Sequence, residues 1–277
     1  MVSPRIKNLN VRIISALVVV GILAATYLFF DLSGIVVLTM ILEVFVIREG
    51  LRLISWAPLS FKFKIVFGLI IYLLFTLILF IEPYRFHILV GAVTLGLAFS
   101  IQLKSGNDIK NLQHLQTSAL LAFIYLALFP ALLIDLLFKY QGLLWFLSLL
   151  IMVFAGDIGA YAFGITLGKH HVLPLISPKK TWEGAFGGFL ATILSALSIH
   201  MVVGLKIPLF GWLFMSAIIS IVAQSGDFFE SLLKRIADVK DSGTMMPGHG
   251  GILDRIDGLL FAAPIMSIAL TFFDHWI

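Results

Sequence analysis

None of the 277 residues is cysteine, which excludes disulfides and thiolate metal sites. Charge is scarce as well. Asp, Glu, Lys and Arg make up 12% of the chain, about half of the ~25% carried by a soluble globular domain. Linkers, low-complexity segments and internal repeats are also missing. What fills the chain is apolar: 60% hydrophobic residues and a mean hydropathy of +1.07. Water cannot accommodate that much apolar surface over this length, so the composition points to an integral membrane protein. The net charge of +4 suits anionic lipid or phosphate partners, although a positive-inside bias alone produces it. No nucleic-acid partner is expected.

Nine apolar runs are long enough to be membrane spans, at about 11–30, 35–54, 62–81, 86–102, 117–138, 142–163, 184–204, 207–229 and 254–273. They are continuously apolar and do not alternate, which favours helices over a barrel. The fold class expected is therefore all-α and polytopic. The first run follows Arg5, Lys7 and Arg12 and has the length of a full span, so it reads as a retained helix and not a signal peptide. The second continues into Arg48, Glu49 and Arg52 and is the least regular. With the N-terminus in the cytoplasm, sixteen of the 19 Lys and Arg residues fall inside and three (Arg85, Lys139 and Lys206) fall outside. That asymmetry supports both the count and the orientation. Residues 1–116 read as N-terminal transmembrane helices, a scaffold with room for dimer contacts. Residues 117–277 read as the C-terminal catalytic region, because the two long polar insertions, about 164–183 and 230–253, lie there and face the cytoplasm.

Four polar clusters interrupt the oil. In GDIGAYAFG (156–164), Asp157 ends an apolar run, where an ionisable group usually has a partner; an interfacial carboxylate in water is the plainer reading. Gly156, Gly159 and Gly164 let a neighbour or ligand approach. In ISPKKTWEGAFGG (176–188), Ser177-Pro178 breaks the chain and Thr181 is placed to cap the next helix, with Glu183 in its first turn. Lys179 and Lys180 then stand at a helix N-terminus, an anion site in which backbone N–H groups and ammonium groups converge; two topogenic lysines are the alternative. Gly184 and Gly188 suit helix packing.

In QSGDFFESLLKR (224–235), the spacing of Asp227, Glu230 and Lys234 puts all three on one helix face. In KDSGTMMPGHGGILDRIDG (240–258), the glycines of Gly248-His249-Gly250-Gly251 can present N–H groups to phosphate. Asp254 and Asp257 follow, three apart, beside Arg255. Paired carboxylates suit Mg²⁺, which takes one or two carboxylates together with substrate phosphates. These residues are equipment for holding a polyphosphate, and phosphoryl or nucleotidyl transfer is mostly positioning and charge neutralisation. A membrane-face location suggests one water-soluble and one lipid reactant.

The last cluster closely resembles the signature of phosphatidate cytidylyltransferases, the CDP-diacylglycerol synthases. Ser231, Lys234, Arg235, Lys240, Asp241, Pro247, His249, Gly250, Gly251, Asp254, Arg255 and Asp257 match it in order and spacing. Met246 stands where Leu, Ile or Phe is usual. GDIGAYAFG and SPKKTWEG also look like the family's segments, so the likeness covers roughly the last 120 residues. It implies that CTP and phosphatidic acid react to give CDP-diacylglycerol and pyrophosphate, with Mg²⁺ and room for a second cation. It further implies a homodimer in the cell (inner) membrane with its active site facing the cytoplasm.

On that resemblance, Asp227 and Asp254 are the first metal ligands, with Asp257 beside them. Lys179, Lys180, Lys234 and Arg255 neutralise phosphates, Gly248–Gly251 holds the triphosphate, and His249 serves as a hydrogen-bond donor to phosphate rather than a base. Asp241 orients Lys240 or meets the nucleotide, while Ser177 and Asp157 line the substrate site. Two other classes stand against this. A cation transporter would place charges near the midplane on broken, repeated helices, which the crowding on one face opposes. A CTP-dependent lipid kinase would release CDP in place of pyrophosphate.

Overall fold

An apolar chain in lipid must satisfy its backbone within each segment, and a helix is the open-ended way to do so. The computed structural model bears this out. It describes residues 4–54, 61–81, 84–102, 109–245 and 250–276, and among these no strand forms. The helices are α1 (Pro4–Ile54), α2 (Phe61–Phe80), α3 (Arg85–Gln102), α4 (Ile109–Phe123), α5 (Phe129–Asp135), α6 (Gly142–Leu167), α7 (Trp182–Val203), α8 (Leu209–Ile236) and α9 (Leu253–Phe272). A π-helical turn, Ile124–Leu128, joins α4 to α5.

Seven helical stretches among the described residues are long and apolar enough to cross a membrane, against nine expected. The difference lies in two places. The first two expected spans lie on either side of Asp31 within α1, where φ 52° and ψ −152° leave the helical region and divide α1 into two helices joined at a kink. The fourth expected span, 86–102, coincides with α3, Arg85–Gln102, of which only the part His87–Gly96 enters that count.

The chain forms two compact units that do not follow sequence order. The first comprises Met1–Leu128 and Ile236–Arg255. Its core gathers Leu53 and Ile54 of α1, Ile71, Phe75 and Ile78 of α2, and Tyr125 and Leu126 of the π turn, all essentially inaccessible. Leu126 packs so close to Gly50 that a β-carbon there would collide with it.

The second unit comprises Phe129–Arg235 and Ile256–Ile277. Here α6 and α7 meet through glycines, as the small-residue spacing anticipates. A β-carbon on Gly188 would stand 2.9 Å from the Gly156 carbonyl oxygen, and one on Gly159 would stand 2.7 Å from that of Gly187. Trp145 and Trp212 fill the space beside them, both buried, with ring centroids 6.1 Å apart. The Trp212 Nε1–H donates to the Ala196 carbonyl at 2.9 Å, which satisfies the one polar atom of its side chain.

Candidate functional site

The candidate residues divide between the two units. Asp157, Ser177, Lys179, Lys180, Asp227, Lys234 and Asp257 belong to the second; Lys240, Asp241, Gly250, Gly251, Asp254 and Arg255 belong to the first. Gly248 and His249 lie outside the described residues.

In the second unit, residues 168–181 make a polar excursion that returns on itself. His171 pairs with Thr181 in an isolated antiparallel bridge, and Val172 N–H donates to the Lys180 carbonyl at 3.0 Å. Thr181 caps α7 as its sequence position requires: its backbone is extended, and its Oγ1 accepts from Gly184 N–H at 3.2 Å. Glu183 closes the other side of the excursion. Its carboxylate accepts from the N–H groups of Lys169 and His170 at 3.1 and 3.2 Å and lies 2.6 Å from His170 Nδ1.

These bonds correct one expectation. Two of the N–H groups at the start of α7, those of Trp182 and Gly184, are already bonded within the protein. Trp182 N–H donates to the His170 carbonyl at 2.8 Å, and that of Gly184 goes to Thr181. Anion binding at this corner therefore rests mainly on the lysine ammonium groups. The excursion that carries them is braced by Arg235, whose Nε–H donates to the Ile176 carbonyl at 3.1 Å.

Lys180 forms an ion pair with Asp227, and its Nζ stands 4.3 Å from the centroid of the Phe228 ring. The face expected on α8 is real: Lys234 Nζ donates to Glu230 Oε2 at 3.2 Å, and Glu230 is fully buried. Asp257 of α9, whose Oδ1 accepts from Gly258 N–H at 2.8 Å, lies near enough to Asp227 and Lys234 to feel their charges. The second unit thus assembles carboxylates and ammonium groups from the α7 approach, α8 and α9. Its oxygen donors fit a hard cation in character. Among the described residues, no three His, Asp or Glu side chains form a ready-made metal cage, so substrate oxygens would have to complete the shell. Lys179 is exposed, Ser177 half-buried and Asp157 exposed. Asp157 borders a small, mostly apolar niche in which Thr192, Ser220 and Gln224 stand beside Val153, Ile219 and Ala223.

In the first unit, Asp254 organises the signature loop. Its Oδ2 accepts from Gly251 N–H at 2.8 Å and from both the N–H and the Oγ–H of Ser242 at 2.9 Å. Gly250 has φ 87°, a left-handed conformation that favours glycine, and a β-carbon there would stand 2.7 Å from Asp254 Oδ2. Arg255, Lys240 and Asp241 are exposed.

Glu49 is the residue that sequence reasoning missed. It is 8% exposed, and its Oε2 accepts from Ser242 Oγ–H at 3.2 Å and from Leu253 N–H at 3.0 Å. Gly243 and Gly251 have no side chains where Glu49 sits; a β-carbon on either would collide with its carboxylate. The only signal in the sequence was an acid placed inside an apolar helix.

A model of the cytidylyltransferase family matches residues 10–273 of the chain. A stretch of 132 residues is 45% identical to the phosphatidate cytidylyltransferase of Staphylococcus epidermidis, 42% to that of Staphylococcus saprophyticus and 42% to that of Bacillus subtilis. Each match takes in 48% of this chain and 51, 51 and 49% of those proteins, respectively. The chain thus spans about half the length of the curated relatives it matches.

Proposed function

The chain belongs to the cytidylyltransferase family, and on that footing we propose that it converts CTP and phosphatidic acid to CDP-diacylglycerol and pyrophosphate. The observation that carries the reading is the family match over residues 10–273, joined to a site rich in both carboxylates and ammonium groups. In the reaction, a phosphate oxygen of phosphatidic acid forms a bond to the α-phosphorus of CTP. The bond from that phosphorus to the bridging oxygen breaks, and the electron pair leaves with pyrophosphate. The attacking oxygen is already anionic near neutral pH, so no strong general base is needed, and His249 is assigned as a hydrogen-bond donor to phosphate.

Asp227 and Asp257 would hold Mg²⁺, and Asp254 is the third candidate ligand. When bound, the metal supplies charge neutralisation on the triphosphate, and a second cation has the same use on the attacking or leaving side. Lys180, paired with Asp227, is placed to exchange that carboxylate for a substrate phosphate. Lys179, Lys234 and Arg255 add positive charge. Asp254 keeps the Gly250–Gly251 turn in shape while nucleotide is held, and Lys240 and Asp241 contact the nucleotide from the adjoining segment. Ser177 and Asp157 border the substrate site. The protein is assigned to the cell membrane as a homodimer with nine spans, a cytoplasmic N-terminus and a cytoplasmic active face. The sixteen-to-three distribution of Lys and Arg supports that orientation.

The by-product tests the reading. Purified protein in detergent, given CTP, Mg²⁺ and phosphatidic acid, should release one pyrophosphate for each CDP-lipid formed. Release of CDP with a phosphorylated lipid alcohol would transfer the protein to the lipid kinases, and absence of both products would overturn the reading.

A further inference from the structure

The first unit contains a cavity of about 1070 Å³ to which no role has yet been given. It sits at the upper end of the ~300–1,000 Å³ range of small-molecule pockets. Val44, Ile47 and Leu51 of α1 and Ile65 and Leu69 of α2 form its apolar wall. Val44, Ile65 and Leu69 are 53, 48 and 63% exposed. On helices of membrane-spanning character, such exposure means that the wall opens towards lipid.

Three cations share this lining: Arg48 and Arg52 of α1 and Lys64 of α2. The arginines are one helical turn apart, where like charges repel, and they adjoin an apolar wall, where an uncompensated charge is costly. Among the described residues none of the three has an ion-pair partner. The one carboxylate in the lining, Glu49, is committed to Ser242 and Leu253. Topogenic charges need only lie near a membrane face, whereas these three converge on one cavity. An anion carried on an apolar tail satisfies both halves of that lining.

The remaining wall is Ser242–Met245, part of the loop that Glu49 and Asp254 hold. The cavity is therefore continuous with the signature segment inside a single unit. A phosphate monoester carries about −1.5 to −2 charges at neutral pH, which suits three cations better than the single charge of a diester lipid.

We propose that this cavity seats phosphatidic acid, with its phosphate on Arg48, Arg52 and Lys64 and an acyl chain along the wall of α1 and α2. The assignment of the lipid as substrate rests on the function proposed above.

A photoactivatable phosphatidic acid, added to the full chain in detergent without nucleotide, tests the seat independently of turnover. The expected result is labelling within residues 44–72 and 242–245, displaced by unlabelled phosphatidic acid and much less by phosphatidylglycerol or phosphatidylcholine. Equal displacement by phosphatidylglycerol would overturn the substrate assignment, and labelling confined to other segments would overturn the site itself. The joint variant Arg48→Gln, Arg52→Gln should raise the KM for phosphatidic acid at least about tenfold, the loss expected from one charge-assisted hydrogen bond. Its KM for CTP should be unchanged, and Arg48→Lys, Arg52→Lys should recover most of the loss. An unchanged lipid KM would contradict the proposal. Displaceable labelling of the cavity without any CDP-lipid formation would uphold the seat and overturn the function; CDP-lipid formation with labelling elsewhere would do the reverse.

Discussion

Glu49 and Ser242 are 193 positions apart in sequence, and Glu49 Oε2 lies 3.2 Å from Ser242 Oγ. The same hydroxyl is 2.9 Å from Asp254 Oδ2. One hydroxyl proton thus serves two carboxylates, in a place where Ser242 has no exposed surface. Replacing Ser242 with Ala removes that proton and leaves the two acceptors facing each other. The expected cost is about 1.5–3 kcal/mol, the scale of a hydrogen bond to a charged group, since each carboxylate keeps its backbone N–H donors. It should appear as a lower midpoint in thermal or denaturant unfolding of the detergent-solubilised protein. An unchanged midpoint would mean that the junction is not what holds the loop.

Asp254 has a structural task and a proposed chemical one, and two substitutions separate them. Asn keeps an oxygen that accepts from Gly251 and Ser242 but loses the charge; Ala loses both. Asp254→Asn should abolish measurable turnover with unfolding close to that of the wild type, while Asp254→Ala should lose turnover and also stability. Retained activity in Asp254→Asn would remove Asp254 from the metal site and leave it as a loop anchor only.

The ion pair between Lys180 and Asp227 predicts a divided response. Asp227→Asn should lower kcat by about 10²–10³-fold, the scale seen when one electrostatic contributor to a transition state is lost, and should raise the Mg²⁺ concentration needed for half-maximal rate. Lys180→Gln should slow the reaction without changing the Mg²⁺ requirement. The exchange Lys180→Asp with Asp227→Lys should not restore activity, because the two groups face different reactants. Rescue by the exchange would show the pair to be structural only. Steady-state kinetics across a Mg²⁺ series decides among these outcomes.

Orientation can be tested directly, because the chain has no cysteine to remove. Single cysteines introduced by Lys169→Cys and Lys240→Cys should react only with reagents that reach the cytoplasm. One introduced by Gln141→Cys should react from the opposite side. Labelling of all three from one side would overturn the proposed nine-span topology.

Much of this was legible in the sequence, for reasons of different kinds. Helical spans follow from hydropathy, because lipid allows few alternatives. Thr181 was recognisable as an N-cap, and the shared face of Asp227, Glu230 and Lys234 follows from helical spacing. The glycines of α6 and α7 showed where those helices meet. What stayed hidden was long-range. That Trp182 N–H is taken by the His170 carbonyl depends on how residues 168–181 turn back, which no local pattern encodes. Glu49 looked like one more charge at an untidy span end, and its partnership with Ser242 and Leu253 exists only through tertiary folding. Arg48 and Arg52 read equally well as topogenic charges until Lys64 was found lining the same cavity.

The central claim is cytidylyl transfer from CTP to a phospholipid, and its most direct measurement follows the α-phosphate. Purified protein in detergent is mixed with phosphatidic acid and CTP labelled at the α-phosphate, once with Mg²⁺ and once with EDTA. The account predicts that label enters the lipid phase as CDP-diacylglycerol with Mg²⁺ and stays in the aqueous phase with EDTA. Label that never leaves the aqueous phase, in protein shown to be folded and supplied with Mg²⁺, would contradict it.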